Sequence, residues 1–487
     1  METGHAQFGW LNWLIVAAFL VFTTRLGRYG KRQCRDLKSF YKANNNVPWW
    51  AVSCSLIATK TSSATFIAVP AFIFAASGDL TYLQATIGFA LGVFLMLFVF
   101  LKQYYAENVF SPYDFIENRL GVKTANLTRI IYALGTMLSQ GVRLLLTAVV
   151  LSVASGLDTI FCVVIITLFA CIWSYMGGIT SVIWTDVIQY VIFTLGAGLA
   201  LVYAVEAIPG GIPQILTIAD EKSKLILIDL ATDPTKLTLW AAALGCTFFE
   251  FSSNAVDHTV TQRTLCCRNL NDARKALAFS SLAVLTSWLM AGVALAMVAY
   301  YHLYPMSSAM ADSVTQVPDR IFPLFILEQL PVGISGVVVA AIFAAGISTL
   351  DSALTALSHT SVLGLGKRYI TAWRDADDRT LVAYSKYSIV MWGLIICGIA
   401  VLAMPMQQHG LLVLGFKASG VVYGSLMGIA LLSLLRKGRF ISISIATIIA
   451  SLCVLVLDFY HINFFWWYPI AAAITVFLTF AIERLFE

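Results

Sequence analysis

Eight consecutive residues, Ala58-Thr59-Lys60-Thr61-Ser62-Ser63-Ala64-Thr65, place hydroxyls and an ammonium inside an otherwise apolar stretch. Trp49, Trp50 and Leu56 precede the run, and Phe66, Ile67 and Val69 follow it. Mid-helix hydroxyls compete for backbone hydrogen bonds, so a helix broken here would free carbonyls and hydroxyls to line a polar cavity. The alternative is Ser and Thr packing against neighbouring helices, which accounts poorly for a lysine in the run. A second polar stripe, Ala345, Ser348, Thr349 and Ser352, has spacing i, i+3, i+4 and i+7 and so shares one helix face, with Asp351 beside it. Hydroxyl, carbonyl and carboxylate oxygens are the ligands that a hard cation such as sodium requires. Small-residue packing would give the same stripe, and Asp351 tips the balance toward an ion.

Two further acids lie in apolar surroundings: Asp186 within Ile183-Trp184-Thr185-Asp186-Val187-Ile188, and Glu250 within Thr247-Phe248-Phe249-Glu250-Phe251. Ionisable groups at membrane depth are costly and mark pathways or pairs. Asp186 has the plainer option of reaching the interface. Glu250 is a candidate partner for Lys60 or Lys417, or a protonated core acid. Catalytic machinery is missing: the six histidines form no H-E-x-x-H, and the nine cysteines form no C-x-x-C or zinc-type spacing. The cysteines are expected to be reduced core residues, and no membrane enzyme is indicated.

These residues need a scaffold, and the composition names its solvent. The 487 residues are 59% hydrophobic and only 12% charged, about half the charge of a soluble domain. Apolar runs long enough to span a bilayer recur from end to end. A leading helix is expected near 8–26, with core helices near 48–77, 80–104, 127–154, 158–177, 180–206, 238–262, 275–303, 332–362, 381–404 and 410–435. Two more follow near 440–459 and 464–484. These are about thirteen transmembrane helices in one all-α domain, with outer loops and short helices at 207–237 and 304–331. Of the 31 Lys and Arg, 24 fall in one set of alternate loops, four in the other, and Lys60, Arg143 and Lys417 inside spans. The positive-inside rule then puts the N-terminus outside and the C-terminus in the cytoplasm of a multi-pass cell (inner) membrane protein. Dividing the ten core helices at 207–237 gives repeats 48–206 and 238–435 of opposite orientation, the arrangement of inverted-repeat transporters.

Four stretches resemble the sodium:solute symporter family. Trp173 through Ile179, followed by Val182 through Gln189, looks like its Gly-Gly and Thr-Asp-x-x-Gln signature. Asp257 through Leu265, then Ala273-Arg274, is similar to its D-x(4)-Q-R-x-L segment. Phe322-Pro323, Leu330 through Gly336 and Ala340 through Ala345 match the approach to its eighth core helix, and Ser348 through Ser352 completes it. The resemblance implies a LeuT-like fold of ten core helices in two inverted five-helix repeats. It also implies a sodium ion between the first and eighth core helices, on backbone oxygens near Ala58, Thr61 and Ala345 and the hydroxyls of Ser348 and Thr349. A second sodium would use Asp186 with Ser352 and Asp351. Substrate would lie beside it, with Thr59, Lys60, Ser62, Ser63, Thr65, Gln84, Arg143, Glu250 and Lys417 as candidates.

The departures are Lys60, where the family usually has a small polar, acidic or apolar residue, and Glu250 and Lys417, where it is commonly neutral. A cation beside a sodium site weakens sodium binding unless a carboxylate neutralises it. Two readings stand. Either the cations bind an anionic substrate with Glu250 balancing the empty site, or the Lys60 ammonium replaces sodium and coupling is to protons or absent. The expected function is sodium-coupled import, by alternating access, of a small polar solute bearing a carboxylate, such as a sugar acid or amino acid. A neutral sugar or polyol symporter and a transporter-like sensor are the rivals. The bilayer and a small solute are the expected partners, with no nucleic acid and a monomeric state.

Overall fold

The computed structural model describes residues 8–30 and 37–485. Apart from an isolated bridge between Val47 and Cys267, the regular structure of these residues is helical. Helix α1 (Trp10–Gly30) precedes a two-part helix, α2 (Trp49–Lys60) and α3 (Ser63–Phe74), bent by 46° between its halves. The break falls inside the hydroxyl run. Thr61 and Ser62 take extended backbone, and the Ser62 hydroxyl accepts the Ala64 N–H at 3.2 Å, so the second half restarts with a side-chain cap.

Helices α4 (Leu80–Ala106), α5 (Val122–Ser155), α6 (Thr159–Tyr175) and α7 (Gly178–Glu206) follow. The α6–α7 junction turns at Gly178, whose φ of 57° and position 2.8 Å from the Phe40 carbonyl, measured to where a Cβ would stand, require glycine. Beyond the outer helix Gly211–Glu221, a π-helical turn at Ala241–Cys246 runs into α8 (Thr247–Val256) and α9 (His258–Thr264). Then come α10 (Leu270–Leu303), α11 (Ile334–Tyr369), α12 (Asp378–Gln408), α13 (Leu411–Leu435), α14 (Phe440–Phe459) and α15 (Phe464–Leu485).

Among the described residues nine helices are each long and apolar enough to cross a membrane, and ten are when α2 and α3 count as one span. The shorter apolar α1 and α6 and the polar α8–α9 pair take the remaining places of the thirteen. One expectation needs correcting. The sixth core element, expected as one helix over 238–262, is two helices parted at Asp257, whose backbone is extended (ψ 114°). The Asp257 carboxylate accepts the Thr259 N–H at 2.7 Å, an N-cap that makes the restart cheap. The first and the sixth core elements are therefore both broken helices.

Large apolar side chains remain exposed in helical rows on the outside of the bundle: Leu91, Phe94 and Phe98 on α4, and Ile448, Leu452 and Leu455 on α14. In water such rows would be a liability; in a bilayer they meet lipid. Inside, α11 is buried along almost its whole length, packed on α7 and α2. Helix α4 approaches α8 at Gly92, where a Cβ would stand 2.7 Å from that of Glu250. That close approach brings Glu250 to the centre of the bundle.

Candidate functional site

A cavity of about 150 Å³ lies between the two breaks. Thr59, Lys60, Thr61, Ser62 and Thr65 line it from the first break, Gln140 and Arg143 from α5, Glu250 and Asp257 from the second broken helix, Ser280 from α10, Thr349 from α11 and Tyr423 from α13. Lys60 is held: its Nζ lies 2.7 Å from Glu250 Oε1 and donates to the Ser280 hydroxyl at 3.1 Å. The same Glu250 oxygen accepts from Asn254 Nδ2 at 2.8 Å. Glu250 is thus the partner of Lys60 and not of Lys417. Asp257 is held too, accepting from Tyr423 Oη at 2.7 Å and Tyr132 Oη at 3.2 Å. Arg143 is different. Among the described residues its guanidinium makes no ion pair and no side-chain hydrogen bond, although its backbone carbonyl accepts from Ser63 Oγ at 3.0 Å.

Next to the cavity lies a buried charge cluster. Asp186 and Arg263 are both fully buried and paired at 3.1 Å. Asp186 Oδ1 accepts from the Ser348 hydroxyl at 2.6 Å, and its Oδ2 accepts from Ser55 at 2.5 Å. Arg263 also donates to Ser55 Oγ at 2.8 Å, to the Thr259 carbonyl at 2.9 Å and to the Ser352 hydroxyl. Asp351 stands next to Ser352, whose hydroxyl lies 3.3 Å from its Oδ1. The expected second-ion residues Asp186, Asp351 and Ser352 are therefore together, with a guanidinium among them. Counted by sequence with the loop cations, Arg263 instead sits in α9 as the counter-charge of Asp186.

The oxygen set expected for the first ion fits a small hard cation. Ala58, Thr61, Ala345, Ser348 and Thr349 are all buried. Thr61 Oγ1 has no hydrogen-bond partner among the described residues. Ala58 lies in the last turn of α2, where carbonyls lack helical partners. Ser348 and Thr349 give their hydrogens to Asp186 and, at 2.8 Å, to the Ala345 carbonyl, which leaves oxygen lone pairs for a cation.

Three candidates sit elsewhere. Lys417, near the start of α13, is half-exposed and reaches out to Asp458 at 2.5 Å; it does not line the cavity. Gln84 spends its amide on its own turn and on the segment 207–237, donating to the Thr81 and Leu237 carbonyls and accepting from the Asp229 N–H, each at 3.1 Å. Ser63 ties the second half of the broken helix to α5 through its bond to the Arg143 carbonyl. Sequence reasoning missed Gln140, Asp257, Ser280 and Tyr423 in the cavity. The nearest signal was Asp257, which opens the D-x(4)-Q-R-x-L segment.

The Lys60–Glu250 pair yields a direct expectation. Removing one partner strands the other charge, so Lys60→Met should destabilise the protein by about 3 kcal/mol. Lys60→Met combined with Glu250→Leu should recover most of that. Unfolding midpoints of the purified variants decide it, and a double variant no more stable than the single would show that the pair is not coupled.

Two broken helices around a central polar cavity, inside a bundle jacketed by apolar side chains, define a membrane transporter with a LeuT-like fold. The chain matches the sodium:solute symporter family over residues 40–442, most of its length, and it belongs to that family. It is 25% identical over 471 residues to the sodium/sialic acid symporter SiaT of Proteus mirabilis, a match covering 95% of this chain and 92% of the relative. It is 27% identical over 444 residues to the human sodium-coupled monocarboxylate transporter 1, covering 89% and 70%. A Na+-coupled sialic acid symporter, solved substrate-bound and outward-open, shares its fold with a TM-score of 0.87 at 23% identity, covering 99% of each chain. The protein is therefore a multi-pass sodium-coupled solute symporter acting on a small molecule, and not an enzyme.

Proposed function

We propose that the solute is a small carboxylate-bearing anion, such as a sugar acid, and that Arg143 is its anchor. The observation that carries this reading is the cavity's charge state. Lys60 is answered by Glu250 and Asp257 by two phenols, while Arg143 opens on the cavity unpaired. Two of the relatives are named for sialic acid and monocarboxylates, which supports the same chemistry. Hydroxyls of Thr59, Ser62 and Thr65 would bind the remaining polar groups. Sodium would bind through Ala58, Thr61, Ala345, Ser348 and Thr349. Because Glu250 neutralises Lys60 within the protein, the ammonium does not stand in for the ion, and this favours sodium coupling over the proton-coupled alternative.

In this reading the repeats 48–206 and 238–435 rock against each other about the cavity, and the basic loops face the cytoplasm of a cell membrane, with the N-terminus outside and a monomer as the working unit. Uptake into proteoliposomes tests it. An inward sodium gradient should drive accumulation of labelled sialic acid or of a short monocarboxylate, and mannitol should not accumulate. Accumulation of mannitol, or carboxylate uptake indifferent to sodium, would overturn the proposal.

A further inference from the structure

At the end of the bundle that carries the basic loops, remote from the central cavity in the fold, lies a second hollow of about 490 Å³. The connecting helix Pro112–Leu120, the start of α5 and the last turns of α11 form its walls, and Arg374 reaches it from the segment that follows. Four cations line it, Arg129, Lys367, Arg368 and Arg374, against two carboxylates, Asp114 and Glu117. Both carboxylates are engaged. Arg129 Nη2 lies 3.1 Å from Asp114 Oδ1 and 2.9 Å from Glu117 Oε2, and Arg368 Nη2 lies 2.5 Å from Glu117 Oε1. Burial works against the Glu117 carboxylate, yet the hydrogen bonds from Arg368 and Arg129 hold it below the usual range. It stays ionised at neutral pH.

What remains is positive. Among the described residues Lys367 and Arg374 make no ion pair, and Arg374 donates only to the Arg368 carbonyl at 3.3 Å. Arg368 Nη1 is buried without a hydrogen-bond partner. Basic residues that merely orient a membrane protein need only lie on one side of the bilayer; they have no reason to converge on one hollow. Here the backbone makes room for the convergence. Helix α11 loosens into a π-helical segment, Thr360–Gly366, of the kind that often marks functional sites. Its Gly364 lets Arg129 pass beneath, since a Cβ there would press on the arginine Cδ and Nε at 3.0 Å. Tyr369 and Ile370 at the rim are exposed, so the hollow adjoins an apolar and aromatic surface at the basic end of the bundle.

We propose that this hollow binds a phosphate group, from an anionic lipid headgroup or a small soluble phosphate, through Lys367, Arg374 and the free Nη1 of Arg368. Donors spread over three side chains suit the three acceptor oxygens of a phosphate group better than the two of a carboxylate, and basic pockets at this level of a bundle attract lipid phosphates. Bound there, it would tie the end of α11 to α5 and to the connecting helix.

The test compares the full-length protein in nanodiscs of phosphatidylcholine alone, of phosphatidylcholine with phosphatidylglycerol, and of phosphatidylcholine with added glycerol 3-phosphate. Unfolding midpoints and lipid retention in native mass spectrometry are read for wild type, for Lys367→Ala/Arg374→Ala, and for Lys102→Ala/Lys275→Ala as a control that removes two basic residues outside the hollow. The phosphate ligand should stabilise wild type and control, and its affinity for the hollow variant should be weaker on the order of thirtyfold. Response to phosphatidylglycerol alone assigns the lipid source, and equal response to glycerol 3-phosphate assigns a soluble one. No stabilisation by either probe, equal weakening in both double variants, or a hollow variant that responds like wild type overturns the proposal. Equal midpoints of the variants in phosphatidylcholine alone establish that they fold.

Discussion

Arg143→Ala should weaken the apparent affinity for a carboxylate substrate by about thirtyfold or more, as expected for truncating one side of a desolvated charge pair worth about 2–5 kcal/mol. The residue lines the cavity, and among the described residues no carboxylate pairs with it. Its removal therefore breaks no ion pair in the empty protein, and the charge lost from the cavity it shares with Asp257 should cost less stability than Lys60→Met. The loss should appear in the apparent KM for the carboxylate. Sodium-dependent stabilisation in the absence of substrate should persist, because the oxygens proposed for the ion lie at the first break and on α11. Arg143→Lys should recover part of the affinity, since it keeps the charge but not the bidentate fork. Substrate titrations by thermal shift, with uptake kinetics beside them, decide it. An unchanged KM in Arg143→Ala would remove the guanidinium from the substrate site.

The second large effect belongs to the buried pair of Asp186 and Arg263. Arg263→Met leaves a fully buried carboxylate with only the hydroxyls of Ser55 and Ser348, and such breakage costs about 3–5 kcal/mol. Sodium should repair part of that loss. Without the guanidinium, Asp186, Asp351 and the Ser352 hydroxyl form a negatively charged oxygen cluster, and a cation that binds only the folded state stabilises it by mass action. The expected result is an unfolding midpoint that falls sharply in low sodium and recovers in high sodium, more steeply than in wild type. Asp186→Asn combined with Arg263→Met should be more stable than Arg263→Met in low sodium, and its extra sodium response should vanish. A deficit in Arg263→Met that ignores sodium would show that the cluster does not accept the ion. In wild type, a second sodium at Asp186 requires the guanidinium to withdraw, which makes Arg263 a competitor for that position.

The helix count, the break at Thr61 and Ser62 and the buried face of α11 were legible in the sequence, because each depends on composition or spacing within one segment; the oxygen set proposed for sodium came from the family resemblance. A bilayer imposes the same test on every twenty residues, and a hydroxyl run fails it wherever it stands. The break at Asp257 was less visible: one capping aspartate within a polar stretch does the work that a whole run does in the first helix.

The charge pairing was legible only in part: the sequence offered Glu250 to Lys60 or to Lys417, and the packing chose Lys60. Lys60 meets Glu250 from another broken helix, Arg263 meets Asp186 across 77 residues, and Lys417 meets Asp458 at the outer surface. Lys417 and Gln84 looked like pocket residues because a sequence gives the depth of a side chain in its helix but not the rotation of that helix against its neighbours. That rotation is set by close contacts such as Gly92 against Glu250. The amino-acid order by itself determined that cations and acids would be buried in this membrane protein. Only the packing of the helices decided which partner each acid meets, and left Arg143 lining the cavity without an ion pair among the described residues.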